Sequence, residues 1–335
     1  MSPALSSSFA TLNNGRSIAL EAIPSLPIEA FGNALLDAVA DGARISALFG
    51  AADPASGSVR LYALLADDAR NRLRVTAAAL DGDAFPSLTP RCPQVHLFER
   101  EIAEQFGLRP IGHPWLKPLR FRRSWTGRDA WNRPVDQPIP PAAGDFYRIE
   151  GDEAHEVAVG PVHAGIIEPG HFRFQCRGER VLHLEIALGY QHRGAEEAFP
   201  SAGAARAMAL AETVSGDATA AHATAFCQVC EALADCRIPP RAQSLRGVAL
   251  ELERLANHVG DLGALANDIG FLPTASYCGR IRGDYLNMTA LLSGSRFGRG
   301  LFRPGGVAFD LEPARAHELL NRLAAAGPDT AGAVS

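Results

Sequence analysis

Gly160-Pro161-Val162-His163-Ala164-Gly165-Ile166-Ile167-Glu168-Pro169-Gly170-His171-Phe172-Arg173 divides this chain into two differently built halves. Its prolines fix φ and its glycines open conformations closed to other residues, so it cannot be helical throughout. Strand-like runs flank it, at Val157–Val159 and Phe172–Cys176, and Arg180–Ile186 reads as a third. The segment is therefore a shaped loop at the end of a small β region. Two imidazoles, a carboxylate and a guanidinium collect in it beside the apolar pair Ile166-Ile167. Such a loop can move protons or grip a polar head group.

Beyond Gly189 the pattern becomes helical. Helices are expected over Ser201–Glu212 and, rich in Ala, over Thr219–Ala234. Pro239-Pro240 breaks the second. The clearest helix covers 241–268, where Leu245, Val248, Leu252, Leu255, Val259, Leu262 and Leu265 recur every three or four positions. Arg241, Arg246, Glu251, Glu253 and Arg254 take its polar positions, some spaced for ion pairs along the helix. A further helix runs from about Ser276 to Leu292, and the two long helices read as bundle members.

Upstream, residues 27–41 read as an amphipathic helix with proline at its start. Three strand-like runs follow, Arg44–Phe49, Ser58–Leu65 and Arg72–Leu80, separated by turn residues as in a meander. Pro93–Phe106 is a helix stopped by Gly107. On it, the cluster Glu99–Glu104 is expected to form a solvated, partner-facing side. Residues 124–146, with Trp125, Trp131 and several prolines, read as an extended connector laid on a surface. The fold class is α+β: a small N-terminal α+β domain (1–123), a Pro/Trp-containing linker (124–147), and a second domain (148–335) with a β-hairpin region leading into a mainly α-helical bundle.

With 335 residues, 47% of them hydrophobic, the chain can bury two cores. A net charge of −5 argues against a nucleic-acid partner. No apolar run is long enough to span a membrane, and the uncharged N-terminus lacks the features of a signal peptide, which sets a cytoplasmic expectation. The six cysteines are scattered, so a disulfide framework is not expected. Cys227-x-x-Cys230 with Cys236 has two readings: a zinc module completed by His222, or small apolar side chains one turn apart on a helix.

Two sets of motifs carry a family resemblance. Glu99-Arg100-Glu101-Ile102-Ala103-Glu104-Gln105-Phe106-Gly107, then Gly112-His113-Pro114, resembles the C-type subunit of NADH-quinone oxidoreductase, complex I. The second set is Gly160-Pro161-x-His163, Pro169-Gly170-His171-Phe172-Arg173, Gly189-Tyr190-x-His192-Arg193-Gly194-x-Glu196, Pro239-Pro240-Arg241-Ala242 and Glu253-Arg254-Leu255-Ala256-Asn257-His258, with Gly305-Gly306-Val307. It resembles the D-type subunit of complex I and the large subunit of group 4 nickel–iron hydrogenases. The order, C-type then D-type in one chain, resembles the fused large subunit of hydrogenase-4 and formate hydrogenlyase and implies a hydrogenase large-subunit-like second domain.

The departures are specific. The resemblance implies nickel held by two C-x-x-C pairs, and the first should fall at Ser215-Gly216-Asp217-Ala218, where Ser and Ala replace both thiols. The second belongs beyond Ser335, where the sequence stops; this reads as a truncated C-terminus whose bundle would expose an apolar face. Soft thiolate ligation of nickel is then missing, and hydrogen chemistry at nickel is not expected. The resemblance also implies a quinone-contacting tyrosine around this turn, and Gly216 stands there instead.

What the resemblance implies is a peripheral subunit on the cytoplasmic face of the inner membrane. It would cradle a small subunit that bears an iron–sulfur cluster, beside antiporter-like membrane subunits. His163 and His171 would face a quinone head group and supply protons, with Asp217 recharging them. Arg173, His192, Arg193 and Gly216 would line the quinone or partner cleft. Arg173 has a second reading, an ion pair with Glu168 or Glu185, and His192-Arg193 a second reading as a helix-start network. His222 and His258 are expected to face the interior. No G-x-G-x-x-G follows a strand, so NAD would act only through other subunits. The rival reading is a scaffold that kept the fold and lost the chemistry.

Overall fold

The computed structural model describes residues 8–53, 57–80, 82–134, 136–140, 145–163 and 168–333. These form two compact units, one holding the residues up to Asn14 with Ile18–Arg193, the other Gly15–Ser17 with Gly194 onward. The α+β start, the β region and the mainly helical end follow one another as expected from sequence.

In the first unit, β1 (Ala10–Leu12), β2 (Ser25–Leu26), β3 (Arg44–Ala52), β4 (Val59–Asp67) and β5 (Arg72–Ala79) make one sheet. Its order is β1-β5-β4-β3, with β2 added in parallel beside β5. The meander is antiparallel, and alternate residues of β4 such as Leu61, Ala63 and Leu65 are buried. α1 (Ile28–Ala40) buries Phe31, Leu35 and Ala38 in the same core. α2 (His96–Phe106) adds Ile102, and Gly107 in a left-handed conformation ends it. The short parallel pair β6 (Ala84–Pro86) and β7 (Arg109–Ile111) flanks α2.

The acids of α2 are not a solvated side, and here the sequence expectation is corrected. Glu99 and Glu104 are both 0% exposed. Glu99 accepts hydrogen bonds from Ser87 Oγ, Leu88 N and Thr89 Oγ1, each at 2.6 Å. Glu104 accepts from the backbone N–H groups of Leu119 (3.1 Å), Arg120 (2.7 Å) and Arg122 (3.3 Å). Each carboxylate replaces its water with fixed donors, which is the condition for burying it. Together they tie the chain on both sides to α2. Arg100 extends the binding with bonds to the carbonyls of Lys117 and Pro118, and Trp125 N donates to Gln105 O. The Trp-containing segment accordingly lies along α2.

A separate three-stranded antiparallel sheet follows: β8 (Ala154–Val159), β9 (His171–Arg177) and β10 (Arg180–Ala187), in the order β10-β9-β8. Period-two alternation gives it two faces. Val157, Val159, Leu184 and Ile186 share an exposed apolar face. His171, Arg173, Gln175 and Glu185 share the other, over which residues 145–149 are strapped. Glu185 is the anchor there: it accepts from Tyr147 N and pairs with Lys117 at 2.6 Å.

The second unit is helical: α3 (Ala195–Ala198), α4 (Ala204–Ala211), α5 (Thr219–Leu233), α6 (Pro240–Asp268), α7 (Leu272–Ser293) and α8 (Pro313–Ala333), with the hairpin β11 (Phe302–Arg303) and β12 (Gly306–Val307). α8 has no counterpart in the sequence reading. α6 and α7 pack along their length, and at Gly263 an added Cβ would come within 2.9 Å of Cys278 Cβ, so only glycine permits this approach. Their core holds Leu252, Val259, Cys278, Ile281, Tyr285 and Met288. Leu265, expected on the buried stripe, is exposed at the far end of α6. Arg246, expected at a polar position, is buried against Glu231 of α5 at 2.6 and 3.1 Å. Arg246 also donates to the carbonyls of Arg303 and Gly306, and Glu231 accepts from Gly305 N, so this pair fastens the β11–β12 hairpin to the helices.

Candidate functional site

The loop between β8 and β9 is closed by its own histidines. Nε2–H of His163 donates to the Gly170 carbonyl at 2.8 Å, and Nδ1–H of His171 donates to the Gly160 carbonyl at 3.2 Å. The local sequence demands this closeness. Gly160 has φ +81°, and a Cβ there would lie 2.1 Å from Gly170 O and 2.6 Å from His163 Nε2. Each imidazole is half-buried, His163 edge-on to Phe172 and His171 edge-on to Phe146. The bonded N–H fixes each tautomer, so a neutral ring keeps a lone pair on His163 Nδ1 and on His171 Nε2. A ring held in this way can take a proton at its second nitrogen and give it up again. Ala164 to Ile167, including the Ile166-Ile167 pair, lie outside the described residues.

Arg173 lies two residues beyond His171 on the same face of β9. It pairs with Glu156 and stacks on the Phe146 ring at 4.2 Å. Neither sequence-level partner holds it: Glu185 is engaged by Lys117 and Tyr147 N, and the arginine's acid is Glu156 of the neighbouring strand. The guanidinium lowers the Glu156 carboxyl below its ordinary range. His192 and Arg193 are exposed and stand directly before α3, whose first turn carries Glu196 and Glu197.

Gly216 and Asp217 belong to the second unit, in the turn before α5, and both are exposed. Ser215 Oγ donates to Asp217 Oδ1 at 2.8 Å, and Asn257 Nδ2 of α6 donates to the Asp217 carbonyl at 2.9 Å. A nickel ion does not fit this turn, because Ser215 is committed to Asp217 and Ala218 offers no donor atom. Among the described residues no three His, Cys, Asp or Glu side chains gather as a ligand set, so the zinc reading of Cys227, Cys230, Cys236 and His222 is set aside. Cys227 is instead a buried member of the α5 core, 3.9 Å from Met208 Sδ, and burial pushes its thiol up to about 11. His222 is half-buried, and His258, expected inside, is exposed.

Sequence reasoning missed the acids that organise these regions. Glu99 and Glu104 are five residues apart, about 140° around a helix, so they could not both belong to one narrow solvated stripe. That signal was available. Glu231 and Arg246 meet from different helices, and no periodicity marks such a pair.

An α+β unit, a β loop with paired histidines and a helical bundle thus follow one another along the chain. Along most of its length the chain is similar to fused C-type/D-type subunits of NADH-quinone oxidoreductase and to their hydrogenase-4-type counterparts. Residues 33–136 match the model of the respiratory-chain NADH dehydrogenase 30 Kd subunit. Hydrogenase-4 component G of Escherichia coli (strain K12) is 34% identical over 75% of this chain and 47% of its own length. Formate hydrogenlyase subunit 5 of the same organism is 31% identical over 81% of this chain and 50% of its own. The fused C/D subunit of NADH-quinone oxidoreductase from Methylococcus capsulatus is 26% identical over 77% of this chain and 48% of its own. The chain thus spans about half the length of the curated relatives it matches. Among the described residues no helix is long and apolar enough to cross a membrane.

Proposed function

We propose that this chain is the peripheral subunit of a membrane-associated oxidoreductase complex, on the cytoplasmic face of the inner membrane, in which a partner carries the electrons and this chain handles protons. The partner is a small subunit with an iron–sulfur cluster, and antiporter-like membrane subunits complete the assembly. The acceptor at the loop is a quinone, whose two-electron reduction consumes two protons. NAD enters only through other subunits.

The carrying observation is the reciprocal bond pattern of His163 and His171, which leaves one proton-accepting nitrogen on each ring. A protonated imidazole there donates a hydrogen bond to a quinone carbonyl and then the proton itself. Arg173 steadies the second histidine's strand and presents positive charge. His192 and Arg193 border the partner side, Gly216 leaves the turn before α5 without a side chain, and Asp217 supplies an exposed carboxylate for proton exchange.

The test is reconstitution of the chain with its cluster-bearing partner and assay of quinone reduction. Turnover that falls at least about tenfold in His163→Ala and His171→Ala, with assembly intact, is expected. A second reading, a scaffold without chemistry, is favoured by Ser215 and Ala218 at the thiol positions. It requires intact assembly and no turnover in the unmodified complex.

A further inference from the structure

The turn that carries Asp217 is held from α6 by two residues one helical turn apart, Glu253 and Asn257, which share a face. Glu253 Oε2 accepts from Ala220 N at 2.6 Å and its Oε1 from Ala221 N at 3.0 Å, so this carboxylate caps the first turn of α5. Asn257 bonds to Asp217 O, as described above. Glu253 and Asp217 line one narrow cleft whose apolar lining includes Ala256 and Leu286 and whose cation is Arg296.

We propose that Glu253 is the proton store behind Asp217, a half-buried carboxyl that holds a proton and passes it to the exposed Asp217 carboxylate across the cleft both line. This rests on the reading of Asp217 as a proton-exchanging group. In the step the O–H bond of Glu253 breaks, an O–H bond forms on Asp217, and the negative charge moves inward; no electrons transfer. Ser215 steadies the acceptor through its bond to Oδ1.

The surroundings favour storage. Burial raises the Glu253 carboxyl above its ordinary range, and the Asp217 charge pushes the same way against the two backbone donors. The charged groups facing it are Asp217 from the turn and Arg296 from the segment after α7; α7 itself contributes Leu286 and Thr289, which do not titrate. A protonated Glu253 keeps one free oxygen for α5 instead of two, so storing the proton also slackens the turn that bears Asp217.

Isotope-edited infrared titration of the purified full chain tests this without turnover. We expect one carboxyl that titrates above the ordinary glutamate range, disappears in Glu253→Gln, and moves down in Asp217→Asn. The absence of any such carboxyl, or an unchanged midpoint in Asp217→Asn, overturns the proposal. Should Glu253→Gln fail to fold, the comparison of the unmodified chain with Asp217→Asn still decides. In the assembled complex, Glu253→Gln lowers turnover most at high pH, where the store is the last group to hold a proton; a loss equal at all pH values shows a capping role alone and overturns the relay. Turnover indifferent to Asp217→Asn sinks the functional reading of Asp217, whereas the infrared result concerns Glu253 by itself.

Discussion

His163 and His171 close the loop between them by bonding across it, His163 to the carbonyl before His171 and His171 to the carbonyl of Gly160. Both bonds tie the Gly160–His163 end of the segment to its Gly170–His171 end. The two rings therefore act as one structural unit, and each is oriented by a group that cannot titrate.

Gly160→Ala tests that clasp. The new methyl group would meet Gly170 O and His163 Nε2, on backbone held at φ +81°. The left-handed backbone alone costs about 1–2 kcal/mol for a residue with a Cβ. Hydrogen exchange of β8 and β9 is expected to accelerate, while the five-stranded sheet keeps its protection.

Glu231→Ala and Arg246→Ala are each expected to cost about 3–5 kcal/mol, because each leaves an unpaired charge with its side chain only 5% exposed. The double replacement is expected to cost less than the sum of the two. Urea unfolding of the three variants measures it, and simple additivity would show that the pair does not act as a unit.

Glu99→Ala removes the acceptor for Ser87, Leu88 and Thr89 and is expected to lower stability by about 3 kcal/mol. Released from α2, the 87–89 segment becomes the first site of limited proteolysis in the N-terminal unit.

Acid sensitivity of the N-terminal unit is expected to centre on Asp67. Burial pushes its carboxyl up, but hydrogen bonds from Arg74, Arg70 and Arg72 outweigh that and bring it to about 2. A depressed folded-state value contributes stability that is present above the unfolded value, near 4, and lost as pH falls toward about 2. The Tm difference between the unmodified chain and Asp67→Asn is therefore constant above about pH 5 and shrinks across that window. A difference that persists unchanged at low pH contradicts it.

Thiol labelling separates the cysteines. Exposed Cys236 reacts with a maleimide in the native chain, whereas buried Cys227, with its thiol pushed up to about 11, reacts only after unfolding. Equal rates for Cys227 and Cys236 in the native chain contradict this.

The sequence by itself determined the longer elements and their order as far as α7. Period-two runs became β3 to β5, the amphipathic stripe of residues 241–268 became α6, and Gly107 and Pro239-Pro240 marked ends where backbone chemistry requires them. It also placed His163 and His171 in a loop, because glycine and proline declare turns locally. Tertiary structure alone decided which charges go inside. Glu99, Glu104, Glu231, Glu253 and Arg246 look like surface residues in a helical pattern, since burying a charge depends on donors and acceptors that other segments bring. Periodicity reports which face of an element is apolar; only the folded chain supplies the partners that let a carboxylate leave water.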